Sequence, residues 1–212
     1  MDYKNLSIRI LSSFIFIILY SSIFFYYTDK IIYFITLIYF LICLEVFFNF
    51  KKLTNIIIFY ISISYLSIAI YIIFVFNLYE FTAIVLVIIC FDSFCYLFGK
   101  ILGKHKILNK ISPNKTYEGL FGGIIFTNLF SLIFYLNFDI YKIFINSNVF
   151  FFINIIILFS FLGDLIQSYF KRLNNIKDSS NFLPGHGGFF DRFDSFIFAI
   201  IFLLIYKSIL TI

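Results

Sequence analysis

The residues able to do chemistry are concentrated in positions 163–195, which read GDLIQSYFKRLNNIKDSSNFLPGHGGFFDRFDS. The chain is 62% hydrophobic and 13% charged, yet this stretch holds four of its eleven acids (Asp164, Asp178, Asp191, Asp194). It also holds four of the sixteen basic residues (Lys171, Arg172, Lys177, Arg192). An ionisable side chain at membrane depth costs roughly 2.5–3.5 kcal/mol on insertion scales, so such groups persist where partners or a substrate compensate them. Asp164, Gln167, Ser168 and Lys171 follow the i, i+3, i+4, i+7 rule and share one helix face, which predicts a polar stripe turned toward a cavity. Pro184-Gly185 and Gly187-Gly188 mark sharp turns, where backbone N–H groups can approach an oxyanion, with His186 between them. Asp191 and Asp194 are three apart, one face of a helix that starts the last span.

A second stretch, 91–123, reads FDSFCYLFGKILGKHKILNKISPNKTYEGLFGG. Asp92, Tyr96 and Gly99 share a face near the end of one span, and a basic loop follows. Pro113 breaks any helix there, and Asn114 or Thr116 can cap the next one. A basic loop that runs into a helix N-terminus makes an anion pocket, and Ser112, Lys115, Thr116 and Glu118 are its candidate contacts. The glycines at 99 and 103 do not make a phosphate-binding P-loop: their spacing is one residue short and no Ser or Thr follows the lysine. Gly119 and Gly123 form a GxxxG pair, which helix packing explains without a ligand.

Carboxylates from two helices suit a hard divalent cation such as Mg²⁺. The surrounding lysines and arginines suit a polyanion instead. Together they are the equipment of phosphoryl or nucleotidyl transfer, where catalysis is mostly positioning and charge neutralisation.

Around these stretches the chain is membrane-like, with 35 Phe, no Trp and a mean hydropathy of +1.03. Crossing the bilayer takes about 20 apolar residues. Seven stretches qualify: 6–27, 31–48, 55–77, 81–98, 119–136, 149–170 and 189–206. Their apolar runs are continuous rather than alternating, so the expected fold is all-α, a polytopic membrane bundle of about seven helices. The first run follows Lys4 and Arg9 and has no A-x-A-like exit, so it is expected to be an uncleaved helix. With the N-terminus inside, thirteen basic residues fall on the cytoplasmic side and three opposite. That split predicts a multi-pass protein of the cell inner membrane whose site faces the cytoplasm. All glycines, prolines and histidines lie between Gly99 and Gly188. Residues 1–80 therefore read as plain N-terminal helices, and 81–212 as the catalytic region, with loops at 99–118 and 171–190. Glu45 is expected to snorkel or pack near a helix end, and Cys43, Cys90 and Cys95 to be reduced fillers.

The pattern Ser168-x2-Lys171-Arg172-x4-Lys177-Asp178-x-Ser180-x2-Leu183-Pro184-x-His186-Gly187-Gly188-Phe189-x-Asp191-Arg192-Phe193-Asp194 resembles the signature of the phosphatidate cytidylyltransferases, or CDP-diacylglycerol synthases. Asp92, Tyr96 and Gly99, together with Ser112-Pro-x-Lys115-Thr116-x-Glu118-Gly119, resemble upstream blocks of that family. Cys95 and Tyr117 stand where the family pattern has Ala and Trp. The resemblance covers about residues 90–200. It implies transfer of CMP from CTP to phosphatidate with release of pyrophosphate. It also implies Mg²⁺ on Asp164 and Asp191, leaving a second cation open, with Asp178 and Asp194 nearby. By the same resemblance Lys171, Arg172, Lys177 and Arg192 bind phosphates, and Ser168, His186, Gly187 and Gly188 belong to the substrate site. The bilayer supplies the lipid, no nucleic-acid partner is expected, and homodimerisation is left open. A CTP-dependent polyprenol kinase is the nearest alternative. A secondary transporter is the alternative from another class, but it would need mid-span acids and broken helices in both halves.

Overall fold

In the computed structural model, the described residues are 18, 21–22, 30–74, 77–137, 149–182 and 187–210. The span expected at 6–27, apart from residues 18 and 21–22, and the candidate residue His186 lie outside them. Six helices form among the described residues: α1 Ile31–Asn49, α2 Thr54–Phe74, α3 Leu78–Leu102, α4 Tyr117–Asn137, α5 Val149–Leu173 and α6 Asp194–Leu210. Five helical segments are long and apolar enough to cross a membrane: Ile31–Asn49, Thr54–Phe74, Glu80–Leu102, Tyr117–Phe134 and Phe150–Leu173. Their outer faces carry exposed Phe40, Phe47, Phe59, Leu66 and Ile125, apolar surface that water would not tolerate and lipid tails do. The chain is a multi-pass helical membrane protein.

The interior is built from β-branched side chains on facing helices. Ile42 and Val46 of α1, Ile57, Ile61 and Ile68 of α2, Ile84 of α3, and Ile197 and Ile200 of α6 are all at most 1% exposed. The principal packing pairs are α3 with α4, α5 with α6, α2 with α6, and α1 with α2. Between α4 and α5 the side-chain amides of Asn128 and Asn154 exchange two hydrogen bonds, at 3.2 and 3.1 Å. Polar pairs of this kind hold helices together where burial provides no driving force.

Three local features differ from the sequence expectation. The basic loop is not irregular throughout: Lys106–Leu108 (β1) and Ser112–Thr116 (β2) pair antiparallel. A turn closed by Ile111 N–H to Leu108 O joins them. Pro113 is tolerated because a two-stranded ribbon has only edge strands. Secondly, α5 runs three residues past 170 and stops in a Schellman turn, in which Ile176 N–H reaches Lys171 O and Asn175 N–H reaches Arg172 O. Asn175 takes the left-handed position at φ 56°, a role asparagine tolerates. Thirdly, the last helix begins at Asp194, not at 189. Phe189–Phe193 forms a tight turn, with Arg192 and Phe193 N–H both donating to Phe189 O. Asp191 therefore belongs to a turn rather than to a helix face.

The expected capping and packing features are present. Thr116 Oγ1 accepts the Gly119 N–H at 3.2 Å, capping α4. The GxxxG pair faces α3: a Cβ on Gly119 would lie 2.7 Å from Cys95 O and 3.0 Å from Gly99 Cα, and one on Gly123 would strike Cys95 Sγ. The hairpin and Asp92 are held together by this close crossing. Gly119→Ala should destabilise the protein by about 1–3 kcal/mol through overpacking against backbone. Thermal unfolding in detergent reads this as a lowered midpoint, and an unchanged midpoint would refute the close approach.

Candidate active site

The hairpin, α3, α5 and the turn before α6 enclose a cavity of about 360 Å³. Its wall includes Asp92 of α3, Ser112, Asn114, Lys115 and Thr116 of β2, Asp164 of α5, Asp191 and Arg192 of the turn, and Asp194 of α6. Phe91, Tyr96, Leu120 and Phe161 supply an apolar side. Four carboxylates thus open onto one chamber. Those of Asp92, Asp164 and Asp194 are near enough to repel one another.

Two lysines answer this charge. Lys115 Nζ lies 2.5 Å from Asp164 Oδ2 and 4.6 Å from the centre of the Phe161 ring. Lys171 Nζ lies 2.7 Å from Asp191 Oδ1, with both side chains nearly buried. The second oxygen of each carboxylate is anchored by neutral donors. Ser168 Oγ donates to Asp164 Oδ1 at 3.3 Å. Asp191 Oδ2 accepts from Ser179 N–H at 2.7 Å and Gly188 N–H at 3.0 Å, and lies 2.8 Å from Ser179 Oγ, whose single proton it shares with Glu45 Oε1. Burial opposes the charge of Asp191. The Lys171 ammonium and these N–H donors outweigh it and hold the carboxyl below its usual range. Gly187 reaches this arrangement at φ 79°, a conformation that strains any other residue.

The polar stripe on α5 converges as the spacing predicts. Asp164 lines the cavity, Ser168 supports it, Gln167 Nε2 donates to Phe190 O, and Lys171 meets Asp191. Other predicted residues stand back from the cavity. Arg172 directs its guanidinium to Ile111 O (3.2 Å) and Ile176 O (3.0 Å), tying the hairpin to the end of α5. Glu118 binds the backbone N–H groups of Lys104 and His105 and the His105 ring at 2.6 Å, so it shapes the loop from outside. Lys177 and Asp178 are exposed on the connection after α5.

Sequence reasoning did not single out Ser179 or Ser195, whose hydroxyl donates to Asp92 Oδ2 at 3.1 Å. Serines beside a recognisable motif carry no signal of their own. Of the two expectations for Glu45, snorkelling or packing, the structure shows packing: it is buried against the connection before α6. Its signal was available, because it is the one acid within α1.

Oxygen-only donors fit a hard cation in chemical type. Among the described residues no three acidic, His or Cys side chains yet converge closely enough to hold one ion. Asp164 and Asp191 fit that role in a particular way. Each has one oxygen anchored by the chain and the other turned onto a lysine that a bound cation would replace.

Three curated relatives, all named phosphatidate cytidylyltransferase, match part of the chain. The Staphylococcus epidermidis protein is 44% identical over 116 residues, the Staphylococcus aureus protein 44% over 118, and the Staphylococcus saprophyticus protein 43% over 120. Each match takes in 54% of this chain and 44% of the relative, so the chain matches under half the length of these relatives. The model of the cytidylyltransferase family matches residues 2–210. With nearly its whole length accounted for, the chain belongs to the cytidylyltransferase family.

Proposed function

We propose that this chain transfers CMP from CTP to phosphatidate, forming CDP-diacylglycerol and pyrophosphate at the cytoplasmic face of the cell membrane. The observation that carries this reading is the cavity lined by Lys115, Asp92, Asp164, Asp191 and Asp194, with Lys115 paired to Asp164 and Lys171 paired to Asp191. The names of the relatives supply the substrates. The thirteen-to-three distribution of basic residues supports the orientation.

In the reaction a phosphate oxygen of phosphatidate attacks the α-phosphorus of CTP. The bond from that phosphorus to the bridging oxygen of the β-phosphate breaks, and the electron pair leaves with pyrophosphate. No general base is needed, since a phosphate monoester with a second pKa of about 6 is largely a dianion at neutral pH. Asp164 and Asp191 would hold Mg²⁺, which when bound would supply charge neutralisation for the phosphates. Lys115 and Lys171 would turn from their carboxylates to the phosphate oxygens of the substrates. Ser168 and the Ser179–Gly188 donors keep the carboxylates in place during that exchange. Arg192 at the cavity wall and Lys177 on the outer loop draw the anionic substrates in, and Arg172 holds the hairpin that carries Lys115. Phe91, Tyr96 and Leu120 provide an apolar side toward which the lipid can lie.

Purified protein given labelled CTP, phosphatidate and Mg²⁺ should yield a CDP-lipid and pyrophosphate, and chelation should stop turnover. With a polyprenol in place of phosphatidate, CDP and a phosphorylated alcohol would indicate a lipid kinase instead, and no turnover with either lipid would reject both. Asp191→Asn should lower kcat by about 100-fold or more, the scale of losing one preorganised electrostatic group. Retained wild-type turnover would remove Asp191 from the site. Lys177→Ala should raise KM with kcat nearly kept, the pattern of lost uniform binding; unchanged kinetics with both substrates would make Lys177 a topology residue.

A further inference from the structure

Glu45 is 5% exposed in an apolar helix, and both of its carboxylate oxygens are engaged. Oε2 accepts the Phe190 N–H at 3.2 Å, and Oε1 meets the Ser179 hydroxyl. Ser179, 1% exposed, is the same residue whose N–H and hydroxyl reach Asp191 Oδ2. From the other side Gln167 Nε2 donates to Phe190 O, so the backbone of Phe190 is gripped on both its polar atoms, one residue before Asp191. A Cβ on Gly188 would fall on Glu45 Oε1, so this carboxylate fills the space that a side chain at 188 would need. A lone acid facing lipid would be expelled to the headgroups, whereas one bound by a backbone N–H and a hydroxyl stays inside.

We propose that Glu45 is a positioning residue for the active site. It pins Ser179 and Phe190 of the connection between α5 and α6, and through Ser179 it sets the orientation of the Asp191 carboxylate. A helix that reads as plain membrane anchor therefore helps to build the chamber. The catalytic consequence rests on the cytidylyl transfer proposed above, but the ordering of the connection does not.

The test combines hydrogen exchange with kinetics on the full chain in lipid nanodiscs, using wild type, Glu45→Ala, Glu45→Gln and Val46→Ala. In Glu45→Ala, amides of 179–182 and 187–190 should exchange at least about tenfold faster while α5 keeps its protection. The kcat should fall at least about tenfold, with a smaller change in KM for CTP. Glu45→Gln should recover most of both, because its amide can accept from Phe190 and donate to Ser179. Val46→Ala removes core packing one residue away and should lower the unfolding temperature without selectively exposing the connection. Should Glu45→Ala fail to fold, Gly188→Ala, which displaces the carboxylate, is expected to release the same amides. Unchanged exchange at 179–182 and 187–190, or faster exchange spread over the whole chain, would overturn the proposal. Released amides with wild-type kcat would overturn its catalytic part. A wild type that makes no CDP-lipid would defeat the proposed reaction, while exchange would still decide the role of Glu45.

Discussion

A carboxylate in an apolar helical bundle is stable only beside a cation or a set of hydrogen-bond donors, and the arrangement around the cavity follows from that requirement. Lys115–Asp164 joins the hairpin to α5, and Lys171–Asp191 joins α5 to the turn before α6. Removing one member of a buried ion pair costs about 3–5 kcal/mol, because the other is left uncompensated. Each pair thus adds a tie between elements already joined by Arg172 to Ile111 O and by Gln167 to Phe190 O. The same pairs keep charge in reserve. Lys115 and Asp164 pair at the chamber wall and Lys171 meets Asp191 there, while Asp92 and Asp194 meet no lysine among the described residues.

What separates this from simple structural ion pairing is the division of labour within each carboxylate. Asp164 and Asp191 each give one oxygen to a lysine and the other to neutral donors. Neutral donors can stay put when the cation beside the other oxygen changes. The local folding supports this division. The Schellman turn at Asn175 ends α5 just after Lys171 and Arg172, and the turn at 189–193 delivers Asp191 from outside the last helix. Asn174 adds a further link, accepting the N–H groups of Lys51 and Lys52 at 2.8 and 2.6 Å and so fixing the α1–α2 turn to the end of α5. The first described helices and the helices that line the cavity are thereby joined in one scaffold.

Much of this was legible in the residues alone. Continuous apolar runs can satisfy their backbone in lipid only as helices, so the bundle and most span positions followed from hydropathy. The i, i+3, i+4, i+7 spacing on α5 put Asp164, Gln167, Ser168 and Lys171 on one face, and Thr116 was recognisable as a cap, because both depend on contacts within a few residues. Long-range partners are chosen by packing, and no local rule encodes them. Only the tertiary structure paired Lys115 with Asp164, turned Arg172 onto backbone carbonyls, folded the basic loop into a hairpin and moved Asp191 off a helix face. Glu45 shows the limit most clearly. Its presence in an apolar run announced that something must compensate it, but that something lies at Ser179 and Phe190, more than a hundred residues away, where only the folded bundle brings them together.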